Sequence, residues 1–169
     1  TFLRSARMLV IRELVVGPTG QLTEVLQGER RPRTERCDHV RVLQLEGPLF
    51  FGAAGELLTA LDDAIRDRDV RVLIVRLKRT QGFDATVAAA FENIAETLRG
   101  QGRRLLLVGM RRDQIAQLQR TGMPERLGTR NLYPTEPGWF VAMEKAVEHA
   151  LSLVEGEGHR ADCPLMRHH

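Results

Sequence analysis

Strand and helix patterns alternate through the middle of this 169-residue sequence, and this order restricts the folds that the chain can adopt. Val70–Leu77 (VRVLIVRL) is rich in β-branched residues and almost continuously apolar, which is typical of a central strand buried on both faces. Before it, Val40–Leu45 alternates as a strand does, and Ala53–Arg68 repeats apolar residues at helical spacing. This dense alternation predicts an α/β fold in which about four helices pack on a mixed, mostly parallel sheet.

The same signals predict the remaining elements. These are a helix that carries Val87, Phe91, Ile94 and Leu98, a strand at Leu105–Val108, a helix at Asp113–Arg120 and a strand at Asn131–Tyr133. Thr135 is predicted to cap a final helix that has Pro137 in its first turn. This helix would bury one stripe of side chains against the sheet, namely Trp139, Met143, Val147, Ala150 and Val154.

The two ends of the chain differ from the middle. Leu9–Val16 and the Gly-Pro-Thr-Gly turn that follows predict an added strand and hairpin, and Gln27–Arg36 is a charged loop that we expect to be mobile. Residues 1–7 combine arginine with large apolar residues, which is typical either of the end of a membrane-proximal segment or of an ordinary first strand with an irregular start. Residues 155–169 read as a flexible polar tail, part of which resembles a purification tag. We therefore expect one domain over residues 8–154.

Composition argues against several classes of function. Apolar residues make up 43% of the chain and charged residues 28%, which is typical of a globular domain with its own core. The formal net charge is +3, and nearly all cations are arginine, with lysine only at Lys78 and Lys145. The chain lacks the aromatic-interleaved basic face of nucleic-acid binders, so we expect no nucleic acid as partner. No run approaches the roughly 20 apolar residues of a membrane span.

No catalytic, metal or cofactor motif stands out. The histidines are scattered, Asp62–Asp63 lies on the polar face of a predicted helix, and no glycine-rich phosphate-binding loop is present. Cys37 and Cys163 are far apart in the sequence, and we expect both to sit in polar, loop-like surroundings and to form neither a disulfide framework nor a metal site. A reducing cytoplasm is then the default compartment. The sequence predicts a protein that is not an enzyme and needs no cofactor.

The loop after the central strand reads RTQGFDATV and has two interpretations. In the structural one, Asp84 is the N-cap of the next helix, Gly82 allows the turn, and Phe83 fills the core. In the functional one, a phosphate on Thr86 in the first helical turn would be favoured by the helix dipole. Such a phosphate would add about two negative charges to a recognition surface. Both interpretations stay open at this level.

The order of these pieces resembles the STAS domain, a family named after sulfate transporters and anti-sigma-factor antagonists. The stretches that carry the resemblance are GPLFFGAAGELLTAL before the first helix and FDATV at the start of the second. Leu105–Gly109, followed by a short helix that ends at Gly122, supports it. The resemblance covers roughly residues 8–154 and implies a STAS-like (SpoIIAA-like) fold.

Three features make the chain most similar to one branch of this family, the C-terminal cytoplasmic domain of SulP-type anion transporters. They are the Phe50–Ala54 stretch, the long Gln27–Arg36 insertion and the arginine-studded apolar start of the chain. The resemblance implies a domain at the cytoplasmic face of the plasma membrane that regulates a sulfate, bicarbonate or related anion transporter through protein contact. Its first partner would be the membrane domain of the same transporter, expected upstream of Thr1.

The other branch of the family implies an alternative, a soluble anti-sigma-factor antagonist that is switched by phosphorylation of Thr86. Two departures from the family pattern weigh against it. Val87 stands where the family usually has glycine, and Phe50 and Phe51 stand where the antagonists commonly place an acid.

Partner contact is predicted to centre on the loop formed by Gly82, Phe83, Asp84, Ala85 and Thr86. Arg111 and Arg112 follow a parallel strand at its carboxyl end, where α/β sheets bind ligands, and with Arg79 they are candidate contacts for an anion or a nucleotide phosphate. A solvated arginine edge is the other interpretation. The resemblance implies acyl carrier protein, another cytoplasmic protein or a nucleotide as further partners, and a homodimer stays open.

Overall fold

A single six-stranded sheet runs through the structure, a computed structural model that describes residues 8–138, 140–156 and 163–167. Its strands are β1 (Val10–Val16), β2 (Leu22–Val25), β3 (Val40–Pro48), β4 (Val72–Gln81), β5 (Arg104–Met110) and β6 (Leu132–Pro134). They lie in the order β2-β1-β3-β4-β5-β6. β1 is antiparallel to both of its neighbours, whereas β3, β4, β5 and β6 are parallel. The predicted mixed, mostly parallel sheet is confirmed.

Five α-helices cover the two faces of this sheet. They are α1 (Ala54–Ile65), α2 (Ala85–Gly100), α3 (Arg112–Thr121), α4 (Met123–Leu127) and α5 (Val141–Val154). The first four pack on one face, against strand residues such as Leu43 and Leu73. α5 packs on the other face, against Val42, Ile74 and Leu106. Adjacent strand residues point to opposite faces, so the central strands are apolar on both, as the sequence predicts.

The final helix begins later than predicted. It starts at Val141, after Phe140 in a left-handed conformation (φ 68°), so the expected cap at Thr135 and the expected first-turn position of Pro137 are wrong. The amide of Thr135 instead donates to the carbonyl of Met110 at 2.8 Å, which prolongs the pairing of β6 with β5. Trp139 lies outside the described residues. The other residues of the predicted stripe are buried, namely Met143, Val147, Ala150 and Val154.

A buried cluster of charges joins the N-terminal hairpin to the Gln27–Arg36 segment. Glu13 on β1 is only 1% exposed and forms ion pairs with Arg36 and Arg41. Arg41 Nε lies 3.1 Å from Glu13 Oε1, an ion pair that falls outside hydrogen-bond geometry. Arg36 Nη2 also donates to the carbonyl of Glu29 at 2.7 Å. These contacts tie the segment that the sequence presented as a charged loop to β1 of the sheet.

Both cysteines are buried, so the expectation of polar surroundings is wrong. Cys37 and Cys163 are each 4% exposed and belong to the core beneath α5. Their neighbours in the sequence are polar, but the two thiols point inward. Within the tail that the sequence presented as flexible, Pro164–Arg167 forms a short 3-10 helix in which Leu165 is buried. In the described part of the chain, no helix combines the length and apolar character needed to cross a bilayer.

Tyr133 on β6 and His149 on α5 connect the edge of the sheet to the helix that covers it. Tyr133 Oη lies 2.6 Å from His149 Nδ1. Burial lowers the pKa of His149, and the positive charges of Arg104 and Arg130 lower it further. The imidazole therefore stays neutral in the folded chain at pH values where it would be protonated in the unfolded chain.

This lowered pKa predicts a loss of stability in mild acid. As the pH falls below the ordinary histidine pKa of 6.5, the unfolded chain takes up a proton at His149 that the folded chain does not. The free energy of unfolding should therefore decrease until the pH reaches the folded-state pKa. Urea unfolding at a series of pH values from neutral to mildly acidic measures the decrease, and His149→Gln should make it shallower. Equal pH slopes for wild type and variant would contradict this prediction.

Candidate functional site

Asp84 organises the loop between β4 and α2. It has extended backbone angles, and its Oδ1 accepts hydrogen bonds from Val87 N at 3.0 Å and Thr86 Oγ1 at 2.7 Å. Burial acts to raise the pKa of Asp84, but hydrogen bonds from Thr86 and from the amides of Val87 and Phe51 outweigh it and leave the pKa below its usual value. The predicted N-cap is confirmed.

Thr86 lies in the first turn of α2 and is partly exposed. Its hydroxyl donates to Asp84, and the same carboxylate takes the amide of Val87. A phosphoryl group on Thr86 would therefore stand beside an ionised carboxylate and compete with it for donors. Like-charge repulsion of this kind opposes the benefit that the helix dipole offers to a phosphate.

Phe83 anchors the loop in the hydrophobic core. Its side chain is 1% exposed and stacks on Phe91 of α2, with ring centroids 5.5 Å apart and an angle of 17° between the planes. Both rings belong to the core between the sheet and the four helices on that face. The predicted core position of Phe83 is confirmed.

Gln114 of α3 holds the loop through side-chain hydrogen bonds. Its side chain is fully buried, and Nε2 donates to Thr80 Oγ1 at 2.7 Å and to the carbonyl of Gly82 at 3.1 Å. Its Oε1 accepts the amide of Arg111 at 3.0 Å. The sequence patterns do not single out Gln114, because its partners Thr80 and Gly82 lie more than thirty positions away in the chain. A glutamine three residues after a helix N-cap is a capping-box signal that points to part of this role.

Phe50 and Phe51 form an exposed aromatic pair beside the loop. Phe50 is 50% exposed and Phe51 is 78% exposed. The ring of Phe50 lies over Gly82, where a Cβ atom would come within 2.1 Å of Phe50 Cε1. Gly82 also has a φ of +71°, so both its backbone and its surroundings favour glycine.

Backbone hydrogen bonds join this pair to the loop. The amide of Leu49 donates to the carbonyl of Gln81 at 2.8 Å, and the amide of Asp84 donates to the carbonyl of Leu49 at 3.2 Å. The segments that follow β3 and β4 therefore form one surface at the carboxyl edge of the parallel strands. We call Phe50, Phe51 and Gly82–Thr86 the contact surface.

The three arginines predicted near this edge have different surroundings. Arg79 has a left-handed φ of 49°, and its largely exposed guanidinium lies 3.6 Å from Glu46. Arg111 forms two hydrogen bonds with Asp113, at 3.1 and 3.2 Å, and also donates to the carbonyl of Thr80. The Arg111 hydrogen bond lowers the pKa of Asp113. Arg112 is exposed at the first position of α3. Arg79 and Arg111 each already have a carboxylate partner, which would compete with an external anion.

The residues that the structure describes contain no candidate metal site. Across residues 8–138, 140–156 and 163–167, no three histidine, cysteine, aspartate or glutamate side chains are grouped so that they could hold a metal ion. The site is instead a surface with exposed aromatic side chains and hydrogen-bonded polar groups beneath them.

The fold and the position of this surface place the chain among STAS-like (SpoIIAA-like) α/β domains. The family model described as "STAS domain" matches residues 31–137, which is more than half of the chain. The chain therefore belongs to the STAS domain family, and the resemblance found in the sequence is confirmed.

Similar proteins include transporters. The structure of a sulfate transporter family protein from Wolinella succinogenes is 31% identical, has a TM-score of 0.56, and is matched over 69% of this chain and 88% of its own. Murine Slc26a9, an anion transporter, has a TM-score of 0.64 at 16% identity over 89% of this chain and 23% of its own, which shows the fold alone. The putative sulfate transporter YvdB of Bacillus subtilis (strain 168) is 24% identical over 94 residues, or 56% of this chain. The match spans only 18% of YvdB.

Proposed function

We propose that this chain is the cytoplasmic regulatory and interaction domain of a SulP-type transporter of sulfate or a related anion, and that it acts through protein contact rather than catalysis. The similarity to the sulfate transporter family protein of Wolinella succinogenes and to the putative sulfate transporter of Bacillus subtilis supports a link to sulfate transport. The chain corresponds to a small part of the Bacillus subtilis relative. We therefore infer that the membrane domain of the same transporter is its first partner.

The exposed aromatic pair is the observation that carries the contact role. Phe50 and Phe51 are consecutive residues at the carboxyl edge of the sheet, and each keeps half or more of its surface in water. Exposed apolar patches with a polar surround are typical of protein interaction sites. Aromatic side chains also contribute strongly to binding energy when a partner excludes water from them.

The rigidity of the contact surface supports the same role. Phe83 anchors it in the core, Asp84 fixes the start of α2, and Gln114 holds the carbonyl of Gly82. A surface that is already ordered loses little conformational entropy when a partner binds. Arg111 and Arg112 would supply positive charge at its rim, where charge affects the choice of partner and the rate of association.

Transport assays on the full-length transporter test this proposal. We expect Phe51→Ala to reduce anion uptake by severalfold at unchanged expression, because the substitution removes the most exposed part of the contact surface. Leu26→Ala is the matched control, since Leu26 is also a large apolar residue, 61% exposed, but follows β2 at the far edge of the sheet. If Phe51→Ala and a Phe50→Ala/Phe51→Ala double variant both retained wild-type uptake, the contact role would be excluded.

The second candidate is a free-standing anti-sigma-factor antagonist that is switched at Thr86. The position of Thr86 in the first turn of α2 favours it, and the hydrogen bond to Asp84 opposes it. Incubation with a cognate kinase followed by mass spectrometry would detect the switch, and Thr86→Glu should then weaken partner binding. Absence of phosphate on Thr86 would exclude the switch and leave the transporter proposal intact.

The gene itself separates the two candidates. The transporter proposal expects the reading frame to continue upstream of Thr1 and to encode several apolar segments of about 20 residues each. A start codon within a few residues of Thr1 would favour the antagonist.

A further inference from the structure

Cys37 and Cys163 meet in the core although they lie far apart in the sequence. Both side chains are 4% exposed, and both belong to the apolar cluster that α5 forms with the sheet. The two thiols lie within hydrogen-bonding reach of each other. Neither cysteine takes part in a disulfide bond in the structure.

The two cysteines belong to segments that carry little regular structure. Cys37 follows the Gln27–Arg36 segment and precedes β3, whereas Cys163 precedes the 3-10 helix at Pro164–Arg167. The amide of Met166 donates to the carbonyl of Cys163 at 3.0 Å, and Leu165 fills the core beside it. We call residues 163–167 the C-terminal turn. A covalent bond between the thiols would attach this turn to the loop before β3.

We propose that Cys37 and Cys163 are a modification site, at which a low-molecular-weight disulfide oxidises them to a reversible intramolecular disulfide. One cysteine thiolate attacks a sulfur of the oxidant, forms a mixed disulfide and releases one small thiol. The other cysteine then attacks the protein sulfur of the mixed disulfide and releases the second small thiol. The two protein thiols lose two protons and two electrons, and the oxidant gains them as two thiols.

Burial makes the reaction depend on movement of the C-terminal turn. The hydrogen bond with Cys37 raises the pKa of the Cys163 thiol, and burial raises it further. Because the thiolate is the reacting form, the closed pair is nearly inert. The turn must open before the oxidant can reach either sulfur. Once formed, the disulfide would keep the turn closed.

Incubation of the purified chain with glutathione disulfide tests the proposal. We expect intact-mass spectrometry to show the loss of two hydrogens, with no thiol left for titration in denaturant. The melting temperature should rise by something on the order of 10 °C, since the cross-link closes a loop that includes most of the chain. Dithiothreitol should reverse both changes.

Single substitutions supply the controls. Cys37→Ala and Cys163→Ala should each block the mass loss and the rise in melting temperature. The wild-type readouts do not depend on whether these variants fold. Two titratable thiols after oxidation, a stable mixed disulfide on one cysteine, or a disulfide that joins two chains would each overturn the proposal.

Discussion

Phe83→Ala is expected to lower the free energy of unfolding by about 3–5 kcal/mol, the usual range for removing a buried phenylalanine. The ring is 1% exposed and stacks on Phe91 at 5.5 Å. Its removal takes away apolar burial and leaves a cavity between α2 and the sheet. Packed helices and strands collapse only partly into such a cavity, so the loss exceeds the transfer energy of the ring alone. Urea unfolding followed by circular dichroism measures the change.

Phe51→Ala is the matched control for this prediction. It removes the same atoms from a nearby residue that is 78% exposed, so we expect the free energy of unfolding to change by no more than about 0.5 kcal/mol. Phe51→Ala should reduce anion uptake without destabilising the fold, because Phe51 is the exposed member of the contact surface, whereas Phe83→Ala should act through lost stability. A loss of unfolding free energy for Phe83→Ala as small as that for Phe51→Ala would show that Phe83 does not anchor the loop.

Glu13→Gln is expected to cost about 3–5 kcal/mol of unfolding free energy, the range for breaking a buried ion pair by removing one partner. The substitution keeps the shape of the side chain but leaves Arg36 and Arg41 without their shared counter-charge. Burial already lowers the pKa of Arg41, and the charge of Glu13 acts in the opposite direction. The cost therefore comes from two guanidinium groups left in a poorly solvated place. Urea unfolding at neutral pH measures it.

Asp63→Asn is the control for the charge cluster. It breaks an exposed pair with Arg66, in which the atoms lie 2.7 Å apart and the two side chains are 47% and 79% exposed. Solvent screens such a pair, so the expected loss is below about 1 kcal/mol. In Glu13→Gln, hydrogen exchange should also accelerate in the Gln27–Arg36 segment, because Arg36 fastens that segment to β1. A loss no larger than that of Asp63→Asn would mean that the buried cluster contributes little to stability.

The contact surface shows which features of a site can be predicted from the sequence and which cannot. Asp84 as an N-cap and Phe83 as a core residue could be predicted, because both roles depend on residues within one helical turn or on a simple apolar pattern. The roles of Gln114 and of the Phe50 ring over Gly82 could not be predicted in full. In each case the partner lies more than thirty positions away in the chain, as with the bond from Gln114 Nε2 to Thr80 Oγ1.

The sequence by itself determined the order and type of the main elements and the nature of the sheet. A strand such as the one in Val70–Leu77 is buried on both of its faces, and this burial leaves a local run of apolar residues in the sequence. The tertiary structure decided where α5 begins, because β6 continues to pair with β5 through Thr135. It also decided that Glu13 meets Arg36 and that Cys37 meets Cys163. These meetings depend on how distant segments pack, and such packing leaves no periodic pattern in the sequence.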